Sequence, residues 1–348
     1  MTVTRSFRWT VSASLAVCIL ALCVLPTAVA EPPPGATPIL APCEGAEECF
    51  RAAVAIREER GAPPQREELL AVKLGQLRRV MDRHPSTQWA KRAGLLVGVL
   101  LIEREPAEAI RYLRDAQREF PILDDYLRLW IAEALLKLNE ATQAAELLET
   151  IPQVVPDSNL LVKAAYRTGD AWFAANACSR AIDWYDRALA AAEKDPAAPP
   201  ALLHQADCHE RENRSPEARN ALKLLWLRHP QSPEAREAKT RLDGNLGGEP
   251  WGPTAEDHYI RAQAYLALAM QAEGVEELRR FLALAPSHPK RFEARLKLGV
   301  AYVRLKQYDQ ARDTFKALAA DRVQESAEAT VWLSRVYLRQ GQGDKLLE

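Results

Sequence analysis

The stretch ARLKLGVAYVRLKQYDQARDTFKAL, residues 294–318, carries the reading of the whole chain. Leu298, Gly299 and Tyr302 fall at helical spacing in its first half, and Ala311 and Phe315 lie i, i+4 on one helical face in its second. Gly299 and Ala311 are twelve residues apart. Two small residues so placed allow antiparallel helices to cross at an axial distance of about 8–10 Å.

The same step recurs outward from this stretch, extended by a second twelve to a proline: Ala132, Ala144, Pro156; Ala206, Ala218, Pro230; and Ala262, Gly274, Pro286. Proline ends the second helix, because it has no N–H and clashes with the preceding turn. The crossing positions of the first helices run Val97, Ala132, Gly169, Ala206, Ala262, Gly299 and Ser334, in steps of 35, 37, 37, 56, 37 and 35 residues. Those of the second helices run Ala109, Ala144, Ala181, Ala218, Gly274 and Ala311. Helical hairpins repeating at this interval stack into a solenoid. Pro106, Pro121, Pro156, Pro196, Pro230 and Pro286 interrupt any continuous coiled-coil seam.

The pattern resembles the tetratricopeptide repeat. Leu298, Gly299, Tyr302, Tyr308, Ala311 and Phe315 stand at its signature positions, and Gly169, Trp172, Ala181, Tyr185 and Ala188 follow it nearly as well. The resemblance runs from about Trp89 to the end of the chain. It implies an all-α fold, a right-handed superhelix of antiparallel helix hairpins, with ligands lying along the face built by successive first helices. That face would include Tyr166, Asp170 and Phe173, with Leu203, Asp207 and Glu210 beside them. An aromatic pair flanking a carboxylate can stack on a sugar or a peptide side chain while the acid orients it. Tyr166 and Phe173 can equally pack between repeats.

A second, more degenerate likeness lies in residues 123–126 with Trp130, residues 228–235, residues 276–278 with Phe281 and Leu282, and residues 329–335. These look like the N-terminal superhelical region of soluble lytic murein transglycosylases. In that family the helical part positions peptidoglycan, and a C-terminal lysozyme-like domain carries the catalytic glutamate in an E-S-x-F context, followed by G-L-M-Q. Neither motif occurs here. The resemblance therefore implies a non-catalytic part of such an enzyme, with a stand-alone interaction scaffold in envelope assembly or secretion as the alternative.

The N-terminus reads as a secretory signal peptide over residues 1–30. Arg5 and Arg8 precede an apolar stretch over 11–25, Pro26 breaks it, and Ala28-Val29-Ala30 stands before Glu31. The apolar stretch is too short for a membrane span, so none is expected after cleavage, and the periplasm or cell envelope is the expected location. An uncleaved anchor and a lipidated Cys18 or Cys23 are alternatives; Val17 and Leu22 stand where lipidation sites want a small residue. Removing the two leader arginines leaves 44 basic residues against 47 acidic ones. That balance favours neither nucleic acid nor an anionic membrane as partner; peptidoglycan or an envelope protein or peptide is the partner that the two resemblances imply.

Of the four cysteines beyond the leader, Cys43 and Cys49 can pair across a short loop, while Cys178 and Cys208 are expected as buried thiols more than as a bridge. No C-x-x-C or histidine pair with ligand spacing occurs, since His204 and His209 are separated by about 140° around a helix. A Gly-rich phosphate loop, H-E-x-x-H, G-x-S-x-G and a calcium loop are also missing. The expectation is no metal, no cofactor and no catalytic residue. Asp124-Asp125 reads as a helix N-cap.

Residues 31–42 are proline-rich and read as a linker. Residues 43–243 form a solenoid that opens with a capping hairpin, its helices over about 47–60 and 67–83 with a breaker at 61–64, and that ends in an extra helix over about 233–242. The Gly/Pro-rich loop 244–254 marks a subdomain boundary, and its Trp251 either packs back on the helices or makes a contact. Residues 255–348 hold the final repeats, the last one incomplete, which would leave Val331, Trp332, Val336 and Leu338 on half a hairpin.

Overall fold

The computed structural model describes residues 43–57, 62–244 and 250–346. The leader 1–30, the linker 31–42 and residues 245–249 of the Gly/Pro-rich loop lie outside these. No strand occurs among the described residues. The helices are α1 (Ala46–Ala55), α2 (Pro63–Arg83), α3 (Gln88–Leu101), α4 (Pro106–Glu119), α5 (Asp124–Lys137), α6 (Ala141–Glu149), α7 (Ile151–Val154), α8 (Leu161–Ala174), α9 (Cys178–Ala192), α10 (Ala198–Arg211), α11 (Ser215–Arg228), α12 (Pro233–Asp243), α13 (Ala255–Ala267), α14 (Gln271–Leu284), α15 (Arg291–Arg304), α16 (Tyr308–Ala320) and α17 (Ser326–Arg339).

The chain divides into two compact units, one ending at Ala177 and the other beginning at Cys178. Within each, a helix packs mainly on its sequence neighbours, as in a repeat array. The proposed boundary at 244–254 lies inside the second unit. There α13 packs on α11 past the insertion, and α12 buries Ala235, Ala238 and Leu242 in the same core as Trp226. Trp251 meets Trp226 edge-on at 5.0 Å and lies under Lys239 Nζ at 5.3 Å, so it latches the end of the loop to the helices. The insertion thus adds one helix beside a stack that continues.

The small residues sit where helices touch. Ala132, Ala144, Ala181, Ala206, Ala218, Ala262 and Ala311 have no exposed surface, and Gly169 is buried. A methyl group on Gly274 would come within 2.7 Å of Leu266, across the α13/α14 crossing. Real side chains do not approach so closely, and only glycine fits there.

Six of the turns after first helices share one backbone device, the α3/α4 turn being an exception in which the Glu105 N–H donates to the Leu101 carbonyl. Asn139, Asn176, Asn213, Ala269, Lys306 and Gly341 all have positive φ, between 58° and 69°. Each stands seven residues after the crossing residue of its first helix. The next residue's N–H donates to the carbonyl four residues before that left-handed position: Glu140 to Leu135, Ala177 to Trp172, Arg214 to His209, Met270 to Tyr265, Gln307 to Tyr302 and Gln342 to Tyr337. This is the Schellman cap, which satisfies the last helical carbonyls. Asparagine and glycine enter the left-handed region easily, whereas Ala269 and Lys306 do so under strain.

Several sequence expectations change. Helix α2 begins at Pro63, not near Glu67, because proline is at home in a helix's first turn, where its missing N–H has no intrahelical partner. The N-cap of α5 is Leu123, and the two acids lie inside the first turn. Asp124 pairs with Arg128 at 2.8 Å, and Asp125 accepts from Ser158 Oγ. Negative charge there complements the helix dipole. Cys178 and Cys208 form a disulfide between α9 and α10 instead of remaining free thiols, since the start of one helix faces the other with Cα atoms 5.1 Å apart. Cys43 and Cys49 are also bonded and close the N-terminus of α1, which packs Phe50 on Trp89 at 5.3 Å.

At the far end α17 packs on α16. Val336 is fully buried, while Trp332 stacks on Phe315 at 6.2 Å. Val331 and Leu338 are 50% and 61% exposed on the opposite face. A short 3-10 turn, Gly343–Leu346, follows.

Candidate functional site

Segments about one repeat apart are tied by ion pairs, of which Glu133–Arg167 joins the first helices α5 and α8 directly, while Glu103 lies in the turn after α3, Lys290 caps α15 and Arg241 is in the extra helix α12. Glu103 pairs with Lys137 at 2.7 Å, and Glu256 with Lys290 at 2.6 Å. Glu133 takes Arg167 through two contacts, one at 2.6 Å from Nε. Asp207 binds Arg241 at 2.8 Å. In all four the acid precedes its base by 34 residues. Each pair lies within one unit and ties two segments that are distant in sequence.

In the first unit, Tyr166 of α8 is 1% exposed. Its ring is core, and the packing reading is the one the geometry favours. Phe173 is half-buried. Asp170 is held by Arg167 Nη1 at 3.1 Å. Burial alone would lower the Arg167 pKa, but Glu133, and then Asp170, outweigh it and raise it. The result is a half-buried carboxylate–guanidinium–carboxylate chain across α5 and α8, which rigidifies the surface without offering an acid that lacks a partner.

In the second unit, Arg241 of α12 receives both expected groove acids of α10: Asp207 on Nη1 at 2.8 Å and Glu210 on Nη2 at 2.5 Å. Its pKa too is raised, with burial opposing and the Glu210 and Asp207 contacts prevailing. The inserted helix therefore supplies the cation that neutralises these acids. Beside it, Arg261 of α13 lies 4.0 Å over the Trp226 ring and donates to the Trp226 carbonyl at 2.5 Å and to the Tyr265 hydroxyl at 2.8 Å. Its Nε is 3.4 Å from Glu277, whose other oxygen meets His258 Nδ1 at 2.5 Å. These are the residues that reading the sequence by repeat signature missed. Arg167 and Arg241 stand 34 residues after Glu133 and Asp207, a spacing that does not by itself decide which acids are paired, and Arg261 had no comparable signal.

The six expected groove residues thus divide between the units, three in α8 and three in α10. Among the described residues, no group of three histidine, cysteine or acidic side chains could hold a metal. No described helix is long and apolar enough to cross a membrane.

Three family models, each described as tetratricopeptide repeat, match residues 100–168; residues 162–196, 259–322 and 296–345; and residues 200–232. Together they span more than half of the chain. No curated sequence matches it. Similar solved structures include a tetratricopeptide repeat protein from Parabacteroides merdae, 14% identical over 84% of this chain and 98% of that one, with a TM-score of 0.44. Yeast Tom70 is 13% identical over 88% of this chain and 67% of that one, with a TM-score of 0.41. Pseudomonas aeruginosa pilF is 15% identical over 72% and 98%, with a TM-score of 0.38.

Proposed function

Since the chain belongs to the tetratricopeptide repeat proteins, we propose that it is a non-catalytic scaffold that binds a protein or peptide through the surface of its stacked hairpins. The observation that carries this is the engagement of the expected groove acids. Asp170, Asp207 and Glu210 are each held by an arginine, and a carboxylate so held serves rigidity better than proton transfer. A fixed array of helix faces is suited to recognising an extended partner.

The cell envelope is the location we infer. The leader motif supports export, and so does the pairing of all four cysteines beyond it in disulfides, which persist in oxidising compartments. On the finer question, the segments that resemble soluble lytic murein transglycosylases favour peptidoglycan as the bound material, with the chain as the superhelical part of such an enzyme. An envelope assembly or secretion scaffold is the second reading, favoured by Val331 and Leu338 standing exposed on α17.

Purified chain from residue 31 onward, incubated with isolated murein sacculi and, separately, with envelope protein extract, tests both. Co-sedimentation with sacculi supports the first reading, and saturable capture of one envelope protein supports the second. Release of soluble muropeptides would overturn the non-catalytic assignment.

A further inference from the structure

In the first unit, the end of α2, the first half of α3 and the second half of α4 enclose an open cleft of about 380 Å³. That is the lower end of the range for ligand pockets. Its floor is Gly94, Leu95 and Ala116, and Met81 and Tyr112 flank it. Leu95 and Ala116 are buried, so the floor is apolar.

Gly94 is buried beneath the Met81 and Tyr112 side chains at the base of this cleft. A methyl group there would lie 3.5 Å from Met81 Cε and 3.8 Å from Tyr112 Cδ1, ordinary van der Waals contact. One turn later the situation differs, because a methyl on Gly98 would crowd Leu113 at 3.0 Å. Glycine weakens a helix interior relative to alanine. At position 94 an added side chain has room for a methyl and would beyond that displace Met81 or Tyr112, the two side chains that flank the cleft.

The rim is charged but balanced. Lys91 Nζ pairs with Glu119 at 2.6 Å, and Arg118 pairs with Asp115. A charged ligand group would have to break one of these pairs or lose its water without a counter-charge in return. An uncharged ring pays neither penalty, and it can lie against the Tyr112 ring and the polarisable Met81 thioether.

We propose that this cleft is a binding pocket for one uncharged aromatic side chain of a peptide partner. The occupant being a peptide rests on the scaffold reading above; the pocket's chemistry does not.

The test therefore uses no partner. Chain from residue 31 onward, labelled with 13C at the methionine methyls, carries two reporters: Met81 on the cleft, and Met270 in the second unit, which does not line it. N-acetyl-tryptophanamide is expected to shift the Met81 methyl saturably and leave Met270 unmoved, with N-acetyl-lysinamide binding at least tenfold more weakly. Gly94→Leu, which fills the cleft, should abolish the shift with the thermal melt retained. If that variant fails to fold, Gly94→Ala, whose methyl has room, should still weaken binding several-fold. No Met81 shift, equal affinity for the lysine derivative, or an undiminished shift in a folded Gly94 variant would overturn the pocket. A pocket that passes while sacculi and envelope proteins go unbound would leave the pocket's preference for an uncharged ring standing and refute the scaffold reading, and the peptide occupant with it.

Discussion

The Phe315 ring lies directly against the α-carbon of Gly299, so that a methyl group there would come within 2.5 Å of Phe315 Cε1. Gly299→Ala should therefore overpack the α15/α16 crossing and cost about 1–3 kcal/mol. Gly75, inside α2 with nothing within 4 Å of an added methyl, gives the contrast: Gly75→Ala should stabilise by about 0.5–1 kcal/mol. Urea denaturation of the two variants checks the signs, and a loss of stability at both positions would contradict the crossing register.

Ala269 and Lys306 occupy the left-handed position that asparagine fills at residues 139, 176 and 213. Replacing either by glycine should raise stability by about 0.5–1 kcal/mol, because relief of backbone strain exceeds glycine's entropic cost. Asn176→Ala should do the reverse. Thermal unfolding of the three variants reads the outcome.

The bridge between Cys178 and Cys208 closes a loop with a sequence separation of 30 residues. A Cys178→Ala, Cys208→Ala double variant should lose about 3–4 kcal/mol. Thiol titration of oxidised chain from residue 31 onward, in denaturant, should find no free thiol before reduction and four after it.

Removing the cation from the chain across α5 and α8 should be costly. Arg167→Met leaves the Glu133 side chain, 9% exposed, without its main counter-charge, a loss of about 3–5 kcal/mol. The double variant Arg167→Met, Glu133→Leu should recover much of it, and a double-mutant cycle measures how much.

Asp257 sets an acid limb. Burial would raise its pKa, but the Lys223 contact at 2.8 Å and the Thr254 capping bonds outweigh burial and lower it. A carboxyl whose folded pKa is depressed contributes stability above its unfolded value, near 3.9, and loses it as pH falls through the folded value. Stability should therefore decline below about pH 4. Lys223→Met should flatten that decline and cost about 1.5–3 kcal/mol at neutral pH, measured as unfolding free energy between pH 2.5 and 7.

The repeat register was legible because helix crossings admit few residue types: the spacing of Ala132, Ala144 and Gly299 follows directly from close packing. The extra helix after Pro230 was legible from the 56-residue step, and the structure caps it with Ser232, whose side chain accepts from the Ala235 N–H. The fate of the groove acids was not legible. Whether Asp170 faces a ligand or Arg167 depends on which rotamers meet between helices, and no local pattern encodes that. Likewise Trp251 had two readings until Trp226 and Lys239 were seen to enclose it. The Cys178–Cys208 bridge was underweighted because sequence places two cysteines in adjacent repeats but says nothing of whether their β-carbons converge.

The turns closed by main-chain bonds have a further implication for how such a chain changes over time. The caps at Asn139 and Asn176 are interchangeable in geometry, so excising residues 140–176 would splice Asn139 to Ala177 and regenerate an intact corner at the junction. Duplication of the same segment would do likewise. A chain built this way can gain or lose whole hairpins by recombination without inventing a new connection, and its length is free to follow the size of whatever it holds.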